Sequence, residues 1–408
     1  MACHSAIAAD IAASLRRLPA GHSFAVHVVC TVDIESAPLT PQRRHPQYYA
    51  ERTLARRVLV LVAEDGCLVA GLEAREFTTL AAEVRGDRTV RATVAVNACI
   101  EKLDTSGELS TRMPLARMVV AGYLCSLQKY QIALDIPSVG VHLFARAQHE
   151  YLFARSRENP RKSALDDLAL IKWWKRTLDL GLAYAASAVS SSGPHQPACA
   201  TTAHCAVPGS DPSEASSILG APHATPDPGS PTVHWTWGLQ YPAESRAHDC
   251  ILQFPDDPMT RLLAEPHSSS WSVAMLFEML AVGEECGAGH RAAYFSASLP
   301  MVALPDLPHA DTVADASESA DQCALSANEY DNVLLALFDH DMDFSCTNGA
   351  VRSSKRLFDA LAAVPGTVTV AVSTAGPPAS HSATTAVAAA APPVNDLTAA
   401  IRKKRKVN

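Results

Sequence analysis

Two adjacent carboxylates, Asp256 and Asp257, stand in the string Phe254-Pro255-Asp256-Asp257-Pro258, with Arg261 shortly after. Such a pair can attract a cation or assist a proton transfer, and it is equally suited to a turn or a helix cap. A third acidic residue, Asp104, lies in the turn-like string Lys102-Leu103-Asp104-Thr105-Ser106-Gly107, and two tryptophans follow Lys172 as Trp173-Trp174. An aromatic face can hold a cation, and a buried Trp is also ordinary core. Cys199, His204 and Cys205 suggest metal, but their spacing matches no zinc pattern, and no metal site is expected. There is no P-loop, no GxGxxG after a strand, no HExxH and no GxSxG, and the glycine motif of the common acetyltransferase superfamily is also missing.

The elements that must position these residues come from a chain of 408 residues, 48% apolar and 19% charged, which is enough to build a sizeable core and excludes wholesale disorder. No stretch approaches the roughly 20 apolar residues of a membrane span, and the first residues lack the order of a secretory signal. Eleven cysteines without a CxxC pair point to a reducing compartment. Five of the cations are consecutive, Arg402 to Lys406; the remaining 29 face 42 acidic residues, so the body carries a net charge of −13. A body of that sign repels nucleic acid and attracts basic partners.

Val-rich runs predict strands at 23–33, 57–64 and 90–100, with a weaker one at 67–77. Helices are expected at 113–127, with Pro114 in the first turn, and from Ser163 to about Val189, where Ser163 and Asp166 have capping-box spacing. Leu165, Leu168, Ile171, Trp174, Leu178 and Leu182 give that helix one apolar face. An apolar strand begins at Val139, and further elements are expected at 269–283 (helix), 292–297 (strand) and 351–363 (helix). The Ser-, Pro-, Gly- and Ala-rich segment 190–232 reads as a disordered insertion, and 364–400 as a disordered tail ahead of the basic segment 401–408.

Four strings taken in order carry a resemblance: the Lys102–Gly107 turn, Leu143-Phe144-Ala145-Arg146 with Tyr151-Leu152-Phe153, Ile171-Lys172-Trp173-Trp174, and Phe254–Pro258 with Arg261. Across residues 23–185 and 233–362 the chain resembles the fungal histone acetyltransferases that modify a core-domain lysine of histone H3. The resemblance implies an α/β fold of the CBP type, a central mixed sheet surrounded by helices, formed as one domain by residues 1–189 and 233–363.

It also implies acetyl-CoA as co-substrate, histone H3–H4 as substrate, chaperones of the nucleosome-assembly-protein and anti-silencing classes as partners, and a nuclear role in replication-coupled nucleosome assembly. Asp104, Trp174 and Asp257 match the family's catalytic positions, and Tyr151 and Asp256 its lysine tunnel. Phe144 and Arg146 fall where the family lines the coenzyme, with Lys102 and Arg112 as further cations for its phosphates. Two positions depart from the pattern: Cys99 stands where the family has Phe, which widens one wall, and Met259 replaces a lysine whose self-acetylation supports activity. The rival expectation is a non-catalytic module that binds histones or chaperones.

Overall fold

A ten-stranded mixed sheet is built around strand β1 (Ser23–Cys30), the short β2 (Ile34–Ser36) and three long strands, β3 (Tyr49–Glu64), β4 (Cys67–Arg85) and β5 (Arg88–Thr105). Beyond β5 come β6 (Val139–Arg146), β7 (Thr202–Ala206), β8 (His234–Trp237), β9 (Ala292–Ser298) and β10 (Val368–Ser373), in the order β10-β1-β3-β4-β5-β6-β9-β7-β8, with β2 beside β3. The pairs β5–β6 and β7–β8 are parallel, and the others antiparallel. The computed structural model describes residues 4–40, 49–85, 88–190, 201–220, 233–283, 286, 290–299, 324–364 and 366–374. None of its helices is long and apolar enough to cross a membrane.

The sheet is covered on both sides, which is why its central strands read as apolar runs rather than alternating ones. On one face Val58, Val60 and Val62 join the core formed with α1 (His4–Leu15), α2 (Leu115–Ala133) and α3 (Asp167–Ser190). At the α1–α2 crossing the backbones nearly touch: a Cβ on Gly122 would lie 2.5 Å from Cα of Ile11. The short α4 (Ala215–Leu219) adds Ile218 to the same core. On the other face Leu59, Leu61 and Ala63 pack against α8 (Ala327–Leu337) and α9 (Thr347–Ala362), and α5 (Ala247–Cys250), α6 (Pro258–Leu263) and α7 (Val273–Val282) cover the far end. Charged residues inside the strands pair across them. Arg56 meets Glu76 at 2.7 Å, with Tyr123 donating to the same carboxylate, and Arg57 and Lys102 share Glu73.

The structure corrects several expectations. Cys67–Phe77 is the first half of a full central strand. Asp166, not Ser163, caps α3, accepting from the amide of Ala169 at 2.8 Å, and Leu165 ahead of it is exposed. Residues 201–220 of the expected insertion are ordered: β7 lies between β9 and β8, and Ala203 and Cys205 are fully buried. Pairing on both sides supplies that order, which local composition could not reveal. Strand β10, within the expected tail, pairs along β1 and closes the sheet edge. Residues 191–200, 221–232 and 375–408, including the basic segment, lie outside the described residues.

Candidate active site

Alternation along β6 sends Val141, Leu143 and Ala145 into the α-helical core and His142, Phe144 and Arg146 to the opposite face. The register then assembles a polar row: Cys99 of β5 beside His142, His142 beside Ser296 of β9, and Ser296 beside His204 of β7. These four residues floor a cleft partly open to solvent, with walls from residues 238–241, from Ile251, Leu252, Phe254, Asp257 and Met259, and from Tyr294. No Lys or Arg occurs among the described residues lining it.

The wall carrying the carboxylates is fixed by aromatic packing and a helix cap. Phe254 is buried between Phe77 and His142, with ring centroids at 5.6 and 5.2 Å. Asp256 turns the chain with φ of +60°, a conformation Asp tolerates, and is exposed outside the cleft lining. Asp257 lines the cleft and caps α6, its Oδ1 accepting from the amide of Met259 at 2.7 Å, with Pro258 in the first helical position. Met259 is buried against the α5–α7 cluster and also lines the cleft. Phe144 packs at a tilt against Tyr294 of the wall, with ring centroids 4.7 Å apart.

Burial sets the protonation of the floor. It pushes the His142 imidazole down to about 4 and lowers His204 as well, so both are neutral at physiological pH. The Cys99 thiol is raised well above its ordinary value by burial, and the charges of Glu101 and Asp257 add to the effect, so it stays protonated.

Asp104 lies elsewhere and is fully engaged. Its Oδ2 accepts from the amides of Tyr151, Leu152 and Phe153 at 2.8, 3.0 and 3.3 Å, and its Oδ1 from Thr105 N at 2.8 Å and Lys162 Nζ at 2.6 Å. It holds the loop whose Leu152 and Phe153 fill the core under α8 and α9. Tyr151 donates to the carbonyl of Arg146, and burial, with the Asp104 charge, pushes its hydroxyl up to about 12. Trp174 is buried in the opposite core with Ile171 and Leu178, edge-on to Trp173 at 5.1 Å. Of the three expected catalytic residues, Asp257 alone lines the cleft. Lys102 pairs with Glu73 at 2.7 Å and lies over the face of Phe338. Arg146 ends β6 on the cleft face, and Arg112 is exposed ahead of α2.

His204 and Cys205 are adjacent on a strand and face opposite sides, Cys205 into the core, so they cannot converge on one ion; Cys199 lies outside the described residues. Elsewhere, Asp339, His340 and Asp341 come within metal-holding distance of one another, but Arg356 already pairs with both carboxylates. Sequence reasoning missed His142, Ser296, Tyr241 and Tyr294. Strand pairing over long separations brings His142, Ser296 and Tyr294 together, the segment after β8 adds Tyr241, and only the alternation of β6 hinted at His142.

The profile of the histone acetyltransferase KAT11-type domain matches residues 135–360, more than half of the chain. The chain belongs to this family. Membership takes in β6, β9 and the Asp257 wall, whereas Cys99 and Asp104 precede the matched region. Among KAT11-type relatives, the histone acetyltransferase rtt109 of Aspergillus flavus is 29% identical over 231 residues, 47% of this chain and 40% of that protein. That of Schizosaccharomyces pombe is 27% identical over 183 residues, 44% of this chain and 46% of its own length. The chain thus spans less than half the length of the curated relatives it matches. The crystal structure of Rtt109 from Aspergillus fumigatus superposes with a TM-score of 0.64 at 22% identity, covering 90% of this chain and 99% of that one. The expected fold, a central mixed sheet wrapped by helices, is borne out.

Proposed function

We propose that this protein transfers the acetyl group of acetyl-CoA to lysine side chains of histone H3. The H3–H4 pair is presented by chaperones of the nucleosome-assembly-protein and anti-silencing classes, in the nucleus. The observation that carries this reading is the cleft beside Asp257, in a chain of the KAT11-type family. Its walls are largely aromatic and apolar over a polar floor, with one carboxylate and no Lys or Arg among the described residues, which suits the stem and amine of a lysine.

A free lysine has a pKa near 10.4, so its ammonium must lose a proton before the nitrogen can attack. Asp257 draws the ammonium in, Tyr241, Phe254 and Tyr294 flank its stem, and exclusion of water favours the neutral amine. Acetyl-CoA supplies the activated carbonyl when bound. Its phosphates need cations, and no Lys or Arg lines the cleft among the described residues. Arg146 and Arg112 meet them in this reading, which is supported by Arg146 sharing a face of β6 with His142 and Phe144 and by the exposure of Arg112. The basic segment 401–408 acts as the nuclear import signal.

The deciding experiment is acetylation of chaperone-bound H3–H4 followed by mass spectrometry of the sites, with the melting temperature measured in parallel with and without acetyl-CoA. Acetylated H3 lysines and a higher melting temperature are expected, since a ligand of the folded state must stabilise it. A rise in melting temperature without transfer, or neither effect, overturns the reading.

A further inference from the structure

We infer that His142 is the group that accepts the amine proton during acetyl transfer, held in the required tautomer by Asn97; the inference rests on the acetyltransferase reading above. His142 lies at the middle of the cleft floor, between Cys99 and Ser296 in register. Its Nε2 stands 3.1 Å from Oδ1 of Asn97, an acceptor, so Nε2 carries the hydrogen and donates it. The lone pair is therefore at Nδ1, which makes no hydrogen bond among the described residues.

The backbone is shaped for this contact. A Cβ on Gly140 would lie 2.7 Å from Nε2 of His142 and 2.8 Å from Oδ1 of Asn97, so the imidazole–amide bond requires glycine there. The ring of Phe254 braces the imidazole from the wall, at 5.2 Å. A histidine kept only for packing needs neither a fixed tautomer nor a ring nitrogen on the cleft floor left without a hydrogen bond among the described residues. Burial keeps it neutral, so the accepting form is the one present; a conjugate acid near 4 makes it a weak base, so its position on the cleft floor and not its basicity carries the transfer. The other candidates on the floor are poorer: the Cys99 thiol stays protonated, and Nδ1 of His204 is sealed from solvent.

The step balances as follows. The ammonium first releases one proton to water. The neutral nitrogen then bonds to the thioester carbonyl carbon, and the carbon–sulfur bond breaks. The remaining N–H proton that must leave goes to Nδ1 of His142 and from there to the departing sulfur, which leaves as a thiol. Asn97 is a positioning residue, since it acts through His142.

The test measures steady-state acetylation of H3–H4, with melting curves, for wild type, His142→Phe, His142→Ala and Asn97→Ala. His142→Phe, which fills the same space, is expected to melt near wild type and to lose about 100-fold or more in kcat, with KM for acetyl-CoA little changed. Added imidazole should restore much of the activity of His142→Ala and none of that of His142→Phe. Asn97→Ala should lower kcat without raising KM. If His142→Phe works at the wild-type rate, or folded His142→Ala is not rescued, the inference fails while the acetyltransferase reading stands. If the wild type transfers no acetyl group, both fall.

Discussion

Asp104 and Asp257 look alike in the sequence, each an acidic residue in a turn, yet the fold gives them different partners. Asp104 accepts four backbone amides and pairs with the buried Lys162, whereas Asp257 caps a short helix at the cleft wall. Asp104→Ala would strand the Lys162 ammonium and three loop amides away from water. Breaking a buried pair in this way costs about 3–5 kcal/mol, so a large drop in melting temperature is expected. Asn caps helices as well as Asp does, so Asp257→Asn should melt like wild type while transfer falls about tenfold or more, the charge being what the ammonium requires. Melting and acetylation measured on both variants check the contrast; Asp104→Ala that melts like wild type, or Asp257→Asn that works like it, removes the assignment. At this scale the string around Asp257 pointed to the cleft. The Asp104 string leads to a carboxylate outside the cleft lining, and its partners stayed hidden because the sequence shows the carboxylate and not the amides that saturate it.

Among the elements, those with strong local signals were legible, and those ordered by distant partners were not. Strands β1 and β6 and helices α2, α3, α7 and α9 declare themselves through apolar runs, periodicity or a cap, although their ends shift by a few residues. Strand β3 reads from Arg57 but begins at Tyr49, because Arg52 and Arg56 hide it in the sequence and pair with Glu35 and Glu76 in the fold. Helix α8 escaped notice behind an acidic, Ala-rich stretch, though Ser326 and Glu329 form a capping box at its start. The costliest omission is β7. Deleting residues 191–231 removes β7 and α4, exposes the β9 edge and takes His204 from the cleft floor. Val207 and Ile218 alone bury about 1.5–3 kcal/mol each within a total stability of about 5–15 kcal/mol. The deleted chain is therefore expected to be insoluble or to lose its cooperative melt. A soluble protein melting within a few degrees of wild type would show that β7 is dispensable.

For the molecule as a whole, charge is the property the sequence states most directly and the fold modifies least. The sheet's internal charges are largely paired, as at Arg56–Glu76, Arg57–Glu73 and Lys102–Glu73, so they add little to the outer field. The excess of acidic residues over the 29 cations outside Arg402–Lys406 is what a basic substrate meets at long range. Such steering is screened over about 10 Å at 0.1 M salt and about 3 Å at 1 M. With an H3 peptide as acceptor, kcat/KM should fall about tenfold or more as salt rises across that range, while kcat, which reports on the bound complex, changes little. Truncation after Thr398 leaves the described residues untouched and removes the five cations, so the chain becomes more negative and its salt dependence steeper. If kcat/KM is flat with salt in both chains, the acidic body does not recruit the substrate, and recognition rests on short-range contacts at the cleft. A shallower slope after truncation would show instead that the basic segment dominates the encounter.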